Sequence, residues 1–159
     1  MKLLKRKPNR LKGYDYSKNG AYFITICTYN REILFGNVGE DSISSRMIDV
    51  TFNQTIEEYS ESICEKYIIM PNHFHAIIFI GQAESAHTIS EIVQAFKRHS
   101  TVEYIKLVKQ GVLPPFEKRI WQRSFHDHII RNEQKYQEIW EYIDKNALKW
   151  EEDCFYKKQ

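Results

Sequence analysis

Apolar and polar positions recur along this chain in two different periods, and the switches between them divide it into seven elements. Ala21 to Thr28 is rich in β-branched and aromatic residues and reads as a strand, after which Gly36 and Gly39 punctuate a loop. From Ser45 to about Glu61, Met47, Ile48, Phe52, Ile56 and Tyr59 return at helical spacing and predict a helix. Ile63 to Met70 is a second strand. Pro71-Asn72 is turn chemistry, so His73 to Ile80 reads as the return strand of a hairpin. Thr88-Ile89-Ser90-Glu91 has the form of a capping box, opening a helix whose Ile89, Ile92, Val93, Phe96 and Ile105 keep helical spacing until Gly111. Pro114-Pro115 then breaks the chain, and Ile120 to Ile130 is extended. Glu133 to Trp150 reads as one helix with Asn132 as its N-cap and Tyr136, Ile139, Trp140, Ile143 and Ala147 on its buried side.

The order strand, helix, strand, strand, helix, strand, helix predicts an α+β fold: an antiparallel sheet with helices packed on one face, a sandwich of the ferredoxin-like or RRM-like kind. At 159 residues the chain is large enough for one real core, and neither repeats nor low-complexity segments divide it. We take residues 13–159 as a single domain and 1–12 as a basic arm, because Lys2, Lys5, Arg6, Lys7, Arg10 and Lys12 crowd that stretch. The formal net charge is only +2, so the distribution of charge says more than its sum. As an arm, those cations suit phosphates; as a tail, they are simply solvated. Tyr14 and Tyr16 follow, able either to stack on unpaired bases or to pack on the domain. No apolar run approaches the ~20 residues of a membrane helix and no signal-peptide core follows the basic N-terminus, so a cytoplasmic protein is expected. Cys27, Cys64 and Cys154 are odd in number and widely spaced, which indicates neither a zinc knuckle nor a disulfide framework; Cys27 and Cys64 read as core.

Candidate chemistry lies at two places. In Met70-Pro71-Asn72-His73-Phe74-His75, strand geometry puts the two imidazoles on one face, their Cα atoms roughly 6.5 Å apart, while Phe74, Ala76, Ile78 and Ile80 form an apolar row on the other. From that separation two side chains can converge on one cation, although a His-x-His pair alone is also compatible with a partly exposed strand. Tyr142 and Asn146 sit one helical turn apart at the border of the last helix's apolar stripe, with Lys149 beside them. His126 and His128 form a second His-x-His, for which sheet-surface or DNA contacts are expected ahead of direct chemistry. Lys97 and Arg98 read as solvated, Asn72 as a turn residue, and Arg119, Arg123 and Arg131 as phosphate contacts or solubilising charges.

Taken together the chain resembles the single-tyrosine HUH (His-hydrophobic-His, IS200-like) transposases, in particular the REP-associated tyrosine transposase branch. The resemblance runs through Gly13-Tyr14-Asp15-Tyr16, Ala21-Tyr22-Phe23-Ile24-Thr25-Ile26-Cys27-Thr28, Arg31-Glu32 with Leu34-Phe35-Gly36, the His73–His75 block and Ala95-Phe96-Lys97. It continues in Trp121-Gln122-Arg123-Ser124-Phe125, His128-Ile129-Ile130-Arg131, Tyr142-Ile143-Asp144-Lys145-Asn146 and Lys149-Trp150-Glu151-Glu152-Asp153. By resemblance, His73 and His75 are metal ligands, Asn146 a third ligand, and Tyr142 the nucleophile. Two positions depart from the pattern: Ala147 stands where a proline is usual, and His126 where an aromatic residue is commoner.

The resemblance implies Mg²⁺- or Mn²⁺-dependent cleavage and rejoining of single-stranded DNA, folded as a hairpin-forming repeat, through a 5′-phosphotyrosine, by a monomer or homodimer. Lys145 or Lys149 could favour the phenolate, and Lys5, Arg6, Lys7, Arg10, Lys12, Tyr14, Tyr16, Arg123, Arg131 and Lys149 are the candidate DNA contacts. Two other function classes compete with it. A non-catalytic RRM-like module would bind single strands without cutting them, and a metal-dependent hydrolase would cut with water and form no protein–DNA adduct.

Overall fold

In the computed structural model, residues 20–81 and 87–156 are described. Strand β1 (Gly20–Cys27) is followed by a single 3-10 turn, then by helix α1 (Ile43–Glu58). Ser42, not Ser45, opens α1, because its hydroxyl accepts the Ser45 amide at 3.1 Å. The helix ends before the expected Glu61, since the Ser62 amide and hydroxyl both bond the Tyr59 carbonyl and turn the chain into β2 (Ser62–Met70). Strand β3 (His73–Ile80) returns along β2 with Met70 opposite His73, so Pro71 and Asn72 form the hairpin turn. The expected capping box opens α2 (Ile89–Lys109): Thr88 Oγ1 accepts the Glu91 amide and the Glu91 carboxylate accepts the Thr88 amide at 2.7 Å. Gly111, at a φ of 73°, takes the left-handed conformation just past the end of α2.

Only His126–Ile130 of the expected extended segment joins the sheet, as β4. Upstream, Trp121 bridges Thr28 beyond the end of β1, and the Lys97 ammonium donates to the carbonyls of Gln122, Arg123 and Ser124, bending the chain before β4 begins. Lys97, expected to be solvated, therefore ties this segment down. Asn132 caps α3 (Glu133–Asn146), its side chain accepting the Lys135 amide at 2.8 Å.

The sheet is antiparallel throughout, in the order β2-β3-β1-β4, as expected for the α+β class. One detail differs: α1 and α2 cover one face, whereas α3 lies on the other. The reason is in β1. Tyr22, Ile24 and Ile26 point into the main core with Phe52, Phe74 and Phe96, while Phe23 points the opposite way with Ile77, and a strand apolar on both faces must be covered on both. Ile143 of α3 is the buried cover for Phe23 and Ile77, with Tyr136, Ile139 and Trp140 packed around it.

Nor does α3 run to Trp150. Past Asn146 the Lys149 amide bonds both the Lys145 and Asn146 carbonyls, and Trp150–Glu152 forms one 3-10 turn. The stripe ends there because the chain turns back: the buried Asn146 side chain donates to Asp153 at 2.9 Å, while Leu148 is left in solvent. No helix among the described residues is long and apolar enough to cross a membrane. The basic arm, with Lys5, Arg6, Lys7, Arg10, Lys12, Tyr14 and Tyr16, lies outside the described residues.

Candidate active site

Strand β3 aims both histidines at the α3 side of the sheet. His73 lies opposite Cys27 and Met70, and His75 opposite Thr25 and Ile68. Both are buried, with ring centroids 4.6 Å apart and planes at 75°. Each Nδ1 has a partner: His73 meets Asn72 Oδ1 at 2.9 Å, and His75 meets the Thr25 hydroxyl at 2.8 Å. The two Nε2 atoms have none. Burial, with His73 beside it, pushes the His75 imidazole down to about 3, so it is neutral at ordinary pH and keeps a lone pair.

Asp153 completes the cluster. One ligand atom from each of His73, His75 and Asp153 lies within 4.8 Å of the others, and His73 Nε2 stands 3.5 Å from Asp153 Oδ2. That is long for a hydrogen bond, and a lone pair facing a carboxylate repels it unless a proton or a metal cation lies between them. Burial alone pushes the Asp153 carboxyl up, but contacts with His73, the Phe155 amide and Asn146 outweigh it and hold the group at about 2. Asn146 donates to Asp153 through Nδ2, while its own Oδ1 is buried without a partner. Two buried, unpaired imidazole nitrogens beside an ionised carboxylate form a donor set that fits a divalent cation, and Asn146, bonded to that carboxylate, adds a buried amide oxygen without a partner next to it.

Tyr142 stands over this group. It meets His75 edge-on at 5.4 Å and Phe23 at 6.0 Å, and at 42% exposure its phenol remains open to solvent. Burial of part of the ring, then the Asp153 carboxylate, push the phenol up to about 12, while a hydrogen bond with Asn146 acts in the opposite direction. On the other side Phe155 and Trp150 lie against the His73 ring, at 4.8 and 5.8 Å.

The remaining candidates are dispersed. His128 stacks on Phe23 at 6.4 Å and His126 approaches Phe155 at 6.4 Å, so this exposed pair borders the same sheet face without joining the ligand group. Lys145 and Lys149 pair with Glu141 and Glu152, at 3.2 and 3.7 Å, on the surface of the helix end. Arg123 is exposed before β4. Arg131 lies at the far end of the sheet, lining a cavity of about 420 Å³ with Glu65, Phe79, Glu133 and Tyr136.

A sequence family described as "Transposase IS200 like" matches residues 16–146 of the chain. The chain belongs to the IS200-like transposases. Among its relatives, an uncharacterized protein of Haemophilus influenzae is 32% identical, over 95% of this chain and 93% of its own length. A second protein of that organism, named as a REP-associated tyrosine transposase, is 26% identical over 85% of this chain and 74% of its own. The fold of this IS200-like transposase is similar to that of a solved REP-associated tyrosine transposase bound to a REP hairpin, with a TM-score of 0.61 and 21% identity, covering 94% of this chain and 74% of the other. A Deinococcus radiodurans crystal structure described as a transposase gives a TM-score of 0.52 at 20% identity, over 86% and 95% of the two chains.

Sequence reasoning on this transposase misses two residues of the site. Asp153 stands in the Lys149–Asp153 block with no role assigned from the sequence; its side chain is buried, whereas Glu151 and Glu152 before it are exposed. Asn72 reads as a turn residue, and it is one, but its side chain is also fully buried against His73.

Proposed function

We propose that this transposase cuts and rejoins single-stranded DNA, with Tyr142 as the nucleophile and His73, His75 and Asn146, joined by Asp153, as the holders of a divalent cation. The observation that carries the proposal is the group of buried lone pairs without partners, on His73 Nε2, His75 Nε2 and Asn146 Oδ1, lying within one side chain of an accessible phenol. Binding alone requires no such group, because an unpaired buried acceptor costs about 1–3 kcal/mol.

In this reading the Tyr142 oxygen attacks phosphorus and gives up its proton to solvent, the bond from phosphorus to the 3′ oxygen breaks, that oxygen takes a proton from solvent, and a 5′-phosphotyrosine and a free 3′-OH result. Attack by that 3′-OH, or by one from another strand, restores a phosphodiester and frees the phenol, so no nucleotide is consumed. A bound dication supplies positive charge to the non-bridging phosphate oxygens as the transition state forms. His75 and Phe23 hold the phenol edge-on, and the His75 ring, being neutral, leaves its lone pair available to the ion. Mg²⁺ or Mn²⁺ is the proposed ion; the two nitrogens make Mn²⁺ the better suited of the pair, since Mg²⁺ prefers an all-oxygen shell. The relative bound to a REP hairpin supports a single strand beside a hairpin stem as substrate. The basic arm of residues 1–12 then serves as a phosphate contact to the domain of residues 13–159. Lys145 and Lys149, already paired with glutamates, are weak candidates for stabilising the phenolate.

The test is cleavage of an end-labelled single-stranded hairpin oligonucleotide with Mn²⁺. Cleavage should require the ion and disappear on adding EDTA, and His73→Ala should abolish it while leaving binding of the oligonucleotide largely intact. Cleavage that persists in EDTA and in His73→Ala would remove the metal from the mechanism.

A further inference from the structure

Asn72 carries two hydrogen-bond donors on Nδ2 and one acceptor atom, Oδ1, and its surroundings allow only one assignment of them. Nδ2 faces the carbonyl oxygens of Phe155, at 2.8 Å, and Arg31, at 3.3 Å. Carbonyls cannot donate, so turning the amide over would set Oδ1 against two acceptors. Oδ1 therefore faces His73 Nδ1, 2.9 Å away, and that nitrogen must be the one bearing hydrogen. The backbone of Asn72 is equally fixed, its carbonyl accepting both the Thr28 amide, at 2.9 Å, and the Thr28 hydroxyl, at 3.0 Å. With no exposed surface, no water competes for these positions.

We propose that Asn72 is the positioning residue of the metal site: it holds His73 in the one tautomer whose Nε2 is a ligand, and sets that ring's orientation before any ion arrives. The contrast is with His75. Its Nδ1 meets the Thr25 hydroxyl, which can donate or accept and so selects neither tautomer by itself, and the Ile24 backbone also bonds this ring. At His73 the side-chain amide alone decides the tautomer. A further consequence is that the same amide ties the ligand to the Phe155 carbonyl, so the segment that brings Asp153 to the site is fastened to the group that orients His73.

The proposal rests on the metal reading above, and the experiment separates the two. Mn²⁺ affinity is measured by titration, with free-ion electron spin resonance as the readout, on the full chain and on His73→Ala, Asn72→Ala and Asn72→Asp. Asn72→Ala should weaken Mn²⁺ about 10- to 100-fold, the range seen when an outer partner of a metal-bound histidine is removed. Asn72→Asp still accepts from His73 Nδ1 but turns a carboxylate oxygen toward the Phe155 and Arg31 carbonyls, so its affinity also reports the loosened Asp153 segment and the variant is read by its His73 tautomer, which should stay protonated on Nδ1. Nitrogen-15 NMR of the native protein in chelator, well above the imidazole pH range, should show His73 protonated on Nδ1, and this needs no variant to fold. Native affinity in a folded Asn72→Ala, a folded Asn72→Asp whose His73 is protonated on Nε2 alone, or a native His73 protonated on Nε2 would each overturn the role of Asn72. A native protein that binds Mn²⁺ no better than His73→Ala would instead overturn the metal reading, with the NMR result still deciding the tautomer.

Discussion

Asp153 shows how far a residue's neighbours in sequence can mislead about its surroundings. Glu151 and Glu152 are exposed, and the same carboxylate chemistry one position later is fixed between Asn146 and the Phe155 amide and faces His73. If Asp153 is a ligand, Asp153→Asn keeps the shape but removes the charge, and should weaken Mn²⁺ binding by at least the ~10-fold typical of losing a group that supports a metal site. Titration of the variant measures this, and unchanged affinity would remove Asp153 from the ligand set. Strand and helix periods place His73 with His75 and Tyr142 with Asn146, each pair on one face, while the roles expected of them come from the family resemblance. The roles of Asp153 and Asn72 depend on contacts across 80 residues of chain, which no local period encodes. Lys97 looks solvated in the sequence for a related reason: its three carbonyl partners lie on a different element.

Among the elements, α3 is held differently from the rest. Helix starts are legible at Thr88 and Asn132, where one cap residue marks the boundary, but not at α1, where Ser42, Ser44 and Ser45 all offer a hydroxyl. The end of α3 is not legible either, because neither glycine nor proline stops it; the turn after Asn146 is fixed by the bond to Asp153. Its packing is also sparse. Within the described residues α3 fully buries one large apolar side chain, Ile143, whereas α2 buries Ile89, Ile92, Val93, Ala95, Phe96 and Tyr104. At about 1.5–3 kcal/mol for each large side chain fully buried, the difference is several such contributions. Amide hydrogen exchange should therefore show the middle of α3 opening at a lower free energy than the middle of α2, with Tyr142 on the looser helix. Equal protection of the two would contradict this account of the packing.

At the scale of the whole molecule, the sequence pattern supports an antiparallel α+β sheet but not which face each helix covers. The alternation in β1 is the physical cue, since Phe23 is as apolar as Tyr22 and Ile24 on the opposite side. Placing α3 there brings Tyr142 over the histidines, so the second, smaller core is also what assembles the site. The basic arm extends the expectation to substrate binding. Removal of residues 1–12 should lower affinity for a single-stranded hairpin and flatten its dependence on salt, by roughly 0.7 in the log–log slope for each single-strand phosphate that the arm neutralises. An unchanged slope would make the arm a passive tail.

The covalent intermediate is the central claim, and peptide mapping tests it most directly. After incubation with Mn²⁺ and a single-stranded hairpin oligonucleotide, denatured protein should carry the 5′ end of the downstream DNA fragment, and mass spectrometry of its digest should place the nucleotide on Tyr142. Tyr142→Phe keeps the ring that packs against Phe23 and His75 and removes only the attacking oxygen, so this variant should fold, bind DNA and form no adduct. Cleavage by the native protein without any adduct, or an adduct that persists in Tyr142→Phe, would contradict the account.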